Sequence, residues 1–188
     1  MARQHGYEYI WIDTCCIDKS SSAELSEAIN SMFKWYETSG LCLVFLADFT
    51  ESSGLDPDSL SKSRWFTRGW TLQELLAPPE VKFYDFNWTF VGDRSIRSIL
   101  SDFSIGTRMN WDSDRRTTRE EDTSYSLLGI FDVNMPLMYG EGGSKAFRRL
   151  RNEIIRTSTN DQSIVGWGAE ADQNRHSSVL AHHPMHSG

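Results

Sequence analysis

Apolar positions along the 188-residue chain fall into strand-length runs alternating with helical repeats. Residues 7–13, YEYIWID, concentrate bulky β-formers and end in an acid, which predicts a buried strand with Asp13 at its carboxyl end. Ser21 and Glu24 form a capping-box signature, and Leu25, Ile29, Met32, Phe33 and Tyr36 then recur at helical spacing until Gly40 supplies a stop. Residues 41–47, LCLVFLA, are continuously apolar, as in a strand covered on both faces. Strand, helix, strand predicts a parallel sheet with right-handed crossovers, in which ligands bind beyond the carboxyl ends of the strands.

Residues 49–60 are polar, carry Gly54 and Pro57, and read as an exposed loop able to act as a flap. The next stretch, SKSRWFTRGWTLQELLAPP over residues 61–79, is dense in tryptophan and arginine and closes on Pro78 and Pro79. Prolines cannot continue a helix, so a short one is predicted from about Gly69 through Leu76. On its wheel Leu72, Leu75 and Leu76 face a core, whereas Trp70, Gln73, Glu74 and Ala77 lie opposite. Trp70 and Glu74 are four apart, so an indole can wall a pocket into which the carboxylate points. Residues 81–85 then read as a strand, and Asp93 as the cap of a helix carrying Ile96, Ile99, Leu100 and Phe103. Residues 117–131 open with acids and turn apolar, the pattern of a helix with a favourable dipole. Pro136 and three glycines break the following stretch, and Ser144 is placed to cap a last helix with Phe147, Leu150, Ile154 and Ile155 inward.

Composition narrows the function. Length and 39% hydrophobic content suit one domain with a real core. A net charge of −7 argues against nonspecific nucleic-acid binding, which needs a basic surface. No apolar run approaches the roughly 20 residues of a membrane span. The N-terminus lacks a signal-peptide pattern, so a cytoplasmic location is expected and the Asn87-Trp88-Thr89 sequon is unused. Three cysteines make no disulfide framework.

Candidate chemistry centres on Glu74, either a surface carboxylate pairing with Arg64 or Arg68, or an acid beside an aromatic wall. Cys15 and Cys16 have no histidine near them in sequence to activate a thiolate. His182, His183 and His186 lack a metal-ligand pattern, and no metal is expected. Residues 140–145, GEGGSK, resemble a phosphate loop, but Ser144 stands where glycine must precede the lysine. A tight structural turn accounts for that segment better than a weak anion site.

Residues 9–18 (YIWIDTCCID), 63–78 (SRWFTRGWTLQELLAP), 117–131 (TTREEDTSYSLLGIF) and 135–142 (MPLMYGEG) together resemble the fungal heterokaryon incompatibility (HET) domain. The resemblance implies an intracellular fungal protein that triggers cell death when genetically different hyphae fuse. HET domains are similar to TIR domains, which implies an α/β, flavodoxin-like parallel sheet flanked by helices. It also implies a division into a HET core over residues 1–105 and a helical C-terminal segment and tail over 106–188. The family usually has an earlier strand ahead of Gly6-Tyr7, so a core lacking its first strand is expected. Several TIR branches cleave NAD, and by that analogy Glu74 is the catalytic carboxylate, with Asp13, Asp18, Ser63, Trp65, Arg68 and Trp70 lining the substrate site. NAD would be a substrate, with no cofactor. The alternatives are a noncatalytic module that signals by homotypic assembly or with other cell-death proteins, and an inactive fragment.

Overall fold

The computed structural model describes residues 1–50, 62–94 and 103–157. Residues 51–60 of the flap expected over 49–60, Ile96, Ile99 and Leu100 of the helix expected after Asp93, and the C-terminal histidines lie outside the described residues; Phe49, at the start of that loop, is buried and not exposed. The elements are α1 (Asp13–Cys16), α2 (Ser22–Thr38), β1 (Cys42–Phe45), α3 (Thr71–Leu76), β2 (Val81–Tyr84), β3 (Phe90–Arg94), α4 (Ile105–Asn110), α5 (Asp122–Tyr125) and α6 (Gly143–Thr157). Short 3-10 turns occupy Arg64–Thr67 and Gly129–Phe131.

The fold is α/β, built among the described residues on a three-stranded mixed sheet of order β1-β2-β3. β1 pairs with β2 in parallel, Cys42 opposite Val81 through Phe45 opposite Tyr84, and α3 lies in the connection between them. The parallel expectation is met there, one unit later than the pattern predicts, but not between β2 and β3, which pair antiparallel, Val81 opposite Arg94, because a short hairpin joins them. Residues 7–12 form no strand: Tyr9 is 87% exposed and Ile10 57%, and at Asp13 the chain turns into α1. β-forming side chains do not hold a strand without a partner for the backbone groups, and none among the described residues pairs with this segment.

α2 begins where the capping signature places it, with Ser21 Oγ accepting from Glu24 N at 3.3 Å. The reciprocal bond goes elsewhere, Glu24 Oε1 accepting from Asp18 N at 2.8 Å. β1 is buried on one face only, through Cys42 and Val44, while Phe45 is exposed. Asp93 lies inside β3, not at a helix start. The hairpin that delivers β3 is held by Asp85, whose Oδ1 accepts from Asn87 N and Thr89 N, both at 2.8 Å. Trp88 takes the left-handed position of that turn, φ 59°, where a glycine is usual.

Residues 117–131 form two short pieces, α5 and the 129–131 turn, in place of one helix. Thr117 Oγ1 donates to Arg119 O at 2.6 Å, one of the local bonds by which such hydroxyls compete with helix formation. α6 begins at Gly143, so Ser144 lies within it. Ala146, Leu150 and Ile154 are its buried positions, whereas Ile155 faces solvent.

One apolar cluster joins Ile29 of α2 and Leu72 of α3 to residues from Ile105 through Ile154. A second packs the sheet residues Cys42, Val44, Val81 and Phe83 with Leu46 and Phe49, and Trp65, Phe66 and Leu75 close over it. α3 sits between the two. Leu72 faces the first cluster and Leu75 the second, which leaves Glu74 at their shared margin.

Candidate functional site

Two local devices place the residues around Glu74. Ser63 caps the 64–67 turn, its Oγ accepting from Trp65 N at 3.4 Å and donating to Asp48 Oδ1 at 2.7 Å. Thr71 Oγ1 is within hydrogen-bond reach of Trp65 O at 2.6 Å and Arg68 O at 2.8 Å, tying the turn to the start of α3. The second device comes from far along the chain. Arg68 and Arg116 form a parallel bridge, with Gly69 N donating to Arg116 O at 2.9 Å and Arg116 N to Thr67 O at 2.7 Å. Arg115 Nη1 then reaches Arg68 O and Thr71 Oγ1, each at 2.8 Å. Gly69 is required in this strap, because a β-carbon there would meet Thr117 Cγ2 at 2.6 Å.

Glu74 is held between opposing influences. Burial and the nearby Asp13 carboxylate push its pKa up to about 7, against the Trp65 side chain within hydrogen-bonding reach and the charges of Arg68 and Arg115. The same neighbours act on Tyr36, whose phenol is pushed well above its ordinary value by burial, then Glu74, Cys42 and Asp13. Asp13, Tyr36, Trp65, Arg68 and Arg115 therefore surround one carboxylate that titrates near neutrality. A group so tuned can carry negative charge or a proton at physiological pH, as an acid-base or charge-stabilising residue needs.

Beside this centre lies a cleft of about 380 Å³ lined by Phe45, Asp48, Arg64, Trp65, Arg68 and Arg116, among others. Trp65 and Arg68 belong both to the cleft and to the surroundings of Glu74, whereas Glu74 is not part of the lining.

The residues singled out in the sequence meet different fates. Asp13, Trp65 and Arg68 come together with Glu74. Asp13 does so from the first turn of α1, not from a strand end. Asp18 is exposed and accepts from Ser20 N at 2.9 Å and Ser20 Oγ at 2.6 Å, a turn contact, and it is not among the groups that shift Glu74. Ser63 is buried and committed to Asp48. Trp70 packs against two apolar clusters, including the one formed by Ile17, Ala28 and Met32. Gln73, placed on the open face by the wheel, is fully buried, with Nε2 donating to Ser126 O at 2.7 Å.

Arg115, Arg116, Asp48 and Tyr36 were not singled out as site residues by sequence reasoning. The two arginines sit in DSDRRTTRE, a polar run with no periodicity, and their only signal is adjacency to the motif that opens at Thr117. Asp112, also in that run, is buried, and burial raises its carboxyl to about 7 against the pull of Arg115.

The glycine loop is filled from within. Glu121 Oε1 accepts from Gly140 N at 2.8 Å and Gly142 N at 3.0 Å, and Glu120 Oε2 from Gly143 N at 3.3 Å. The protein's own carboxylates occupy the place an anion would take, so the loop is the structural turn expected. Among the described residues no group of three or more His, Cys, Asp or Glu is arranged to hold a metal, and no helix is long and apolar enough to cross a membrane.

An α/β domain with a tryptophan-arginine turn leading into a glutamate-bearing helix agrees with the motif resemblance, and comparison with known proteins gives the class: the chain belongs to the heterokaryon incompatibility family. The family model described as heterokaryon incompatibility protein (HET) matches residues 1–62. A particular relative is the vegetative incompatibility protein HET-E-1 of Podospora anserina, 49% identical over 176 aligned residues. That alignment takes in 81% of this chain and 13% of the relative, so the chain spans a small part of that protein's length. No solved structure matches the chain.

Proposed function

We propose that this chain is the domain of a vegetative incompatibility protein that acts by cleaving NAD, with Glu74 as the catalytic carboxylate. The observation that carries the reading is a carboxylate raised to about 7 beside an indole and two arginines, next to a cleft of ligand size. The likeness to a vegetative incompatibility protein supports the biological half, cell death on fusion of unlike hyphae. A parallel strand pair joined through the helix that bears the acid agrees with a TIR-like sheet.

The reaction asks little of the protein. Nicotinamide in NAD is a cationic leaving group, so the C–N glycosidic bond breaks with its electron pair passing to the ring nitrogen and no acid need protonate it. Water then bonds to the sugar carbon and releases a proton, giving ADP-ribose and nicotinamide. Ionised Glu74 stabilises the oxocarbenium-like transition state by its charge.

The test is nicotinamide release by the purified chain and by Glu74→Ala. The expected result is release by the wild type and loss of at least about a hundredfold in the variant, with its fold retained by circular dichroism. A folded wild type releasing none above background would defeat the reading. The competing reading, a noncatalytic assembly module, has its own support in the exposed apolar side chains Tyr9, Ile10 and Ile12. It predicts that Glu74→Ala signals cell death as the wild type does.

A further inference from the structure

The strap that bridges Arg68 to Arg116 has a cost that packing does not explain. Residues paired across a bridge present their side chains side by side, and like charges so placed repel. Neither arginine has a carboxylate within ion-pair distance among the described residues. Asp48, the one acid of the cleft, is already used: Oδ1 accepts from Ser63 Oγ, and Oδ2 from Arg64 N at 2.8 Å and Arg64 Nε at 3.4 Å. In a chain of net charge −7, three arginines thus line a cleft of about 380 Å³ whose one lining carboxylate is already engaged, with Glu74, outside the lining, also acting on Arg68 by its charge.

The cleft also has an aromatic side. Phe45 and Trp65 line it. Phe45 stacks on Trp88 at 4.6 Å between ring centroids and 23° between planes. Trp88 holds that position from a left-handed backbone, φ 59°, which is strained for so large a residue. The strain is retained where it backs a ring that faces the cleft.

We propose that this cleft binds the diphosphate of a nucleotide, with Arg68 and Arg116 as a two-sided cationic clamp and Phe45 as a platform for the attached planar ring. The inference deepens the NAD reading and rests on it for the ligand's identity, but not for the role of Glu74. Planar guanidinium forks suit phosphate oxygens, and an anion between them removes the repulsion. The volume lies at the lower end of small-molecule pockets and suits one nucleotide-sized half of a dinucleotide. Arg116 comes from beyond residue 105, so the C-terminal stretch supplies half the clamp.

Calorimetric titration with ADP-ribose, ADP and inorganic pyrophosphate tests this on the wild-type chain and on Arg116→Ala and Phe45→Ala. Arg116→Ala keeps the strap, because its backbone carries those bonds, and a thermal melt confirms the fold. The expected result is nucleotide binding that Arg116→Ala weakens by at least about tenfold. Phe45→Ala should weaken ADP-ribose but not pyrophosphate. Unchanged ADP-ribose affinity in folded Arg116→Ala overturns the clamp. Nucleotides binding no tighter than pyrophosphate overturn the platform. NAD cleavage without measurable ADP-ribose or ADP binding would sink this proposal and leave the catalytic reading standing, whereas nucleotide binding without cleavage would do the reverse.

Discussion

The environment of the Glu74 carboxylate makes the stability of the fold depend on pH. The group's folded pKa lies near 7 against an ordinary value of 4.5, with burial as the first cause. A carboxylate raised on folding binds protons more tightly in the native state, so stability falls as pH rises between those two values. Replacing it by glutamine removes the charge that must be buried. Glu74→Gln should therefore be more stable than the wild type at pH 8, by about 2 kcal/mol allowing for its partial exposure, and equal to it near pH 4. Urea denaturation at the two pH values measures this. A Glu74→Gln variant less stable at pH 8 would mean that the carboxylate is held by favourable contacts instead.

How much of the site was legible depends on the residue. Glu74 was readable because two prolines fixed the end of its helix and a wheel gave its face. Trp70 followed the same wheel and was misplaced, since both faces of α3 are covered and its indole belongs to the core. Asp13 reads from the sequence as a strand end and reaches the site as the first residue of a helical turn. Arg115 and Arg116 could not be found by local pattern. Their role comes from a bridge to a residue 48 positions away, and no periodicity encodes such a pairing.

Among the elements, the strap between residues 67–69 and 115–117 decides whether the site assembles. Gly69 is buried at its crossing point, and a methyl group there would strike Thr117 Cγ2. Gly69→Ala should destabilise the fold by about 1–3 kcal/mol through overpacking. Adding Thr117→Ser removes the struck methyl and keeps the hydroxyl that donates to Arg119 O, so the double variant should recover most of that loss. Chemical denaturation of the two variants checks it, and a double variant no more stable than Gly69→Ala would place the cost elsewhere. α2, β1, α3 and β2 were legible from period and caps. β3 was not, because its hairpin puts Trp88 where the turn signal would be a glycine. Nor was the division of 117–131, where runs of apolar residues fit a helix and hydroxyl bonds break it.

At the scale of the molecule, the site lies where two packing units meet. α2 and α3 share a core with α4, the 129–131 turn and α6, while the sheet closes on the 64–67 turn. Gly129 has no room for a β-carbon against Phe33, so α2 and the C-terminal stretch are in direct contact. Asp13 from the N-terminal turn, Glu74 from α3 and Arg115 from the strap thus converge from three regions of the chain, and the acid's tuning is a property of the whole.

The measurement that bears most directly on this is the pH dependence of nicotinamide release from NAD, for the wild type and for Asp13→Asn. The rate is expected to rise with pH through an apparent pKa of about 7 as Glu74 ionises, and the curve to move to lower pH in Asp13→Asn, which removes a charge that raises it. A profile flat between pH 5 and 8, within about the range where a tuned carboxylate must titrate, or one that Asp13→Asn leaves in place, would contradict it.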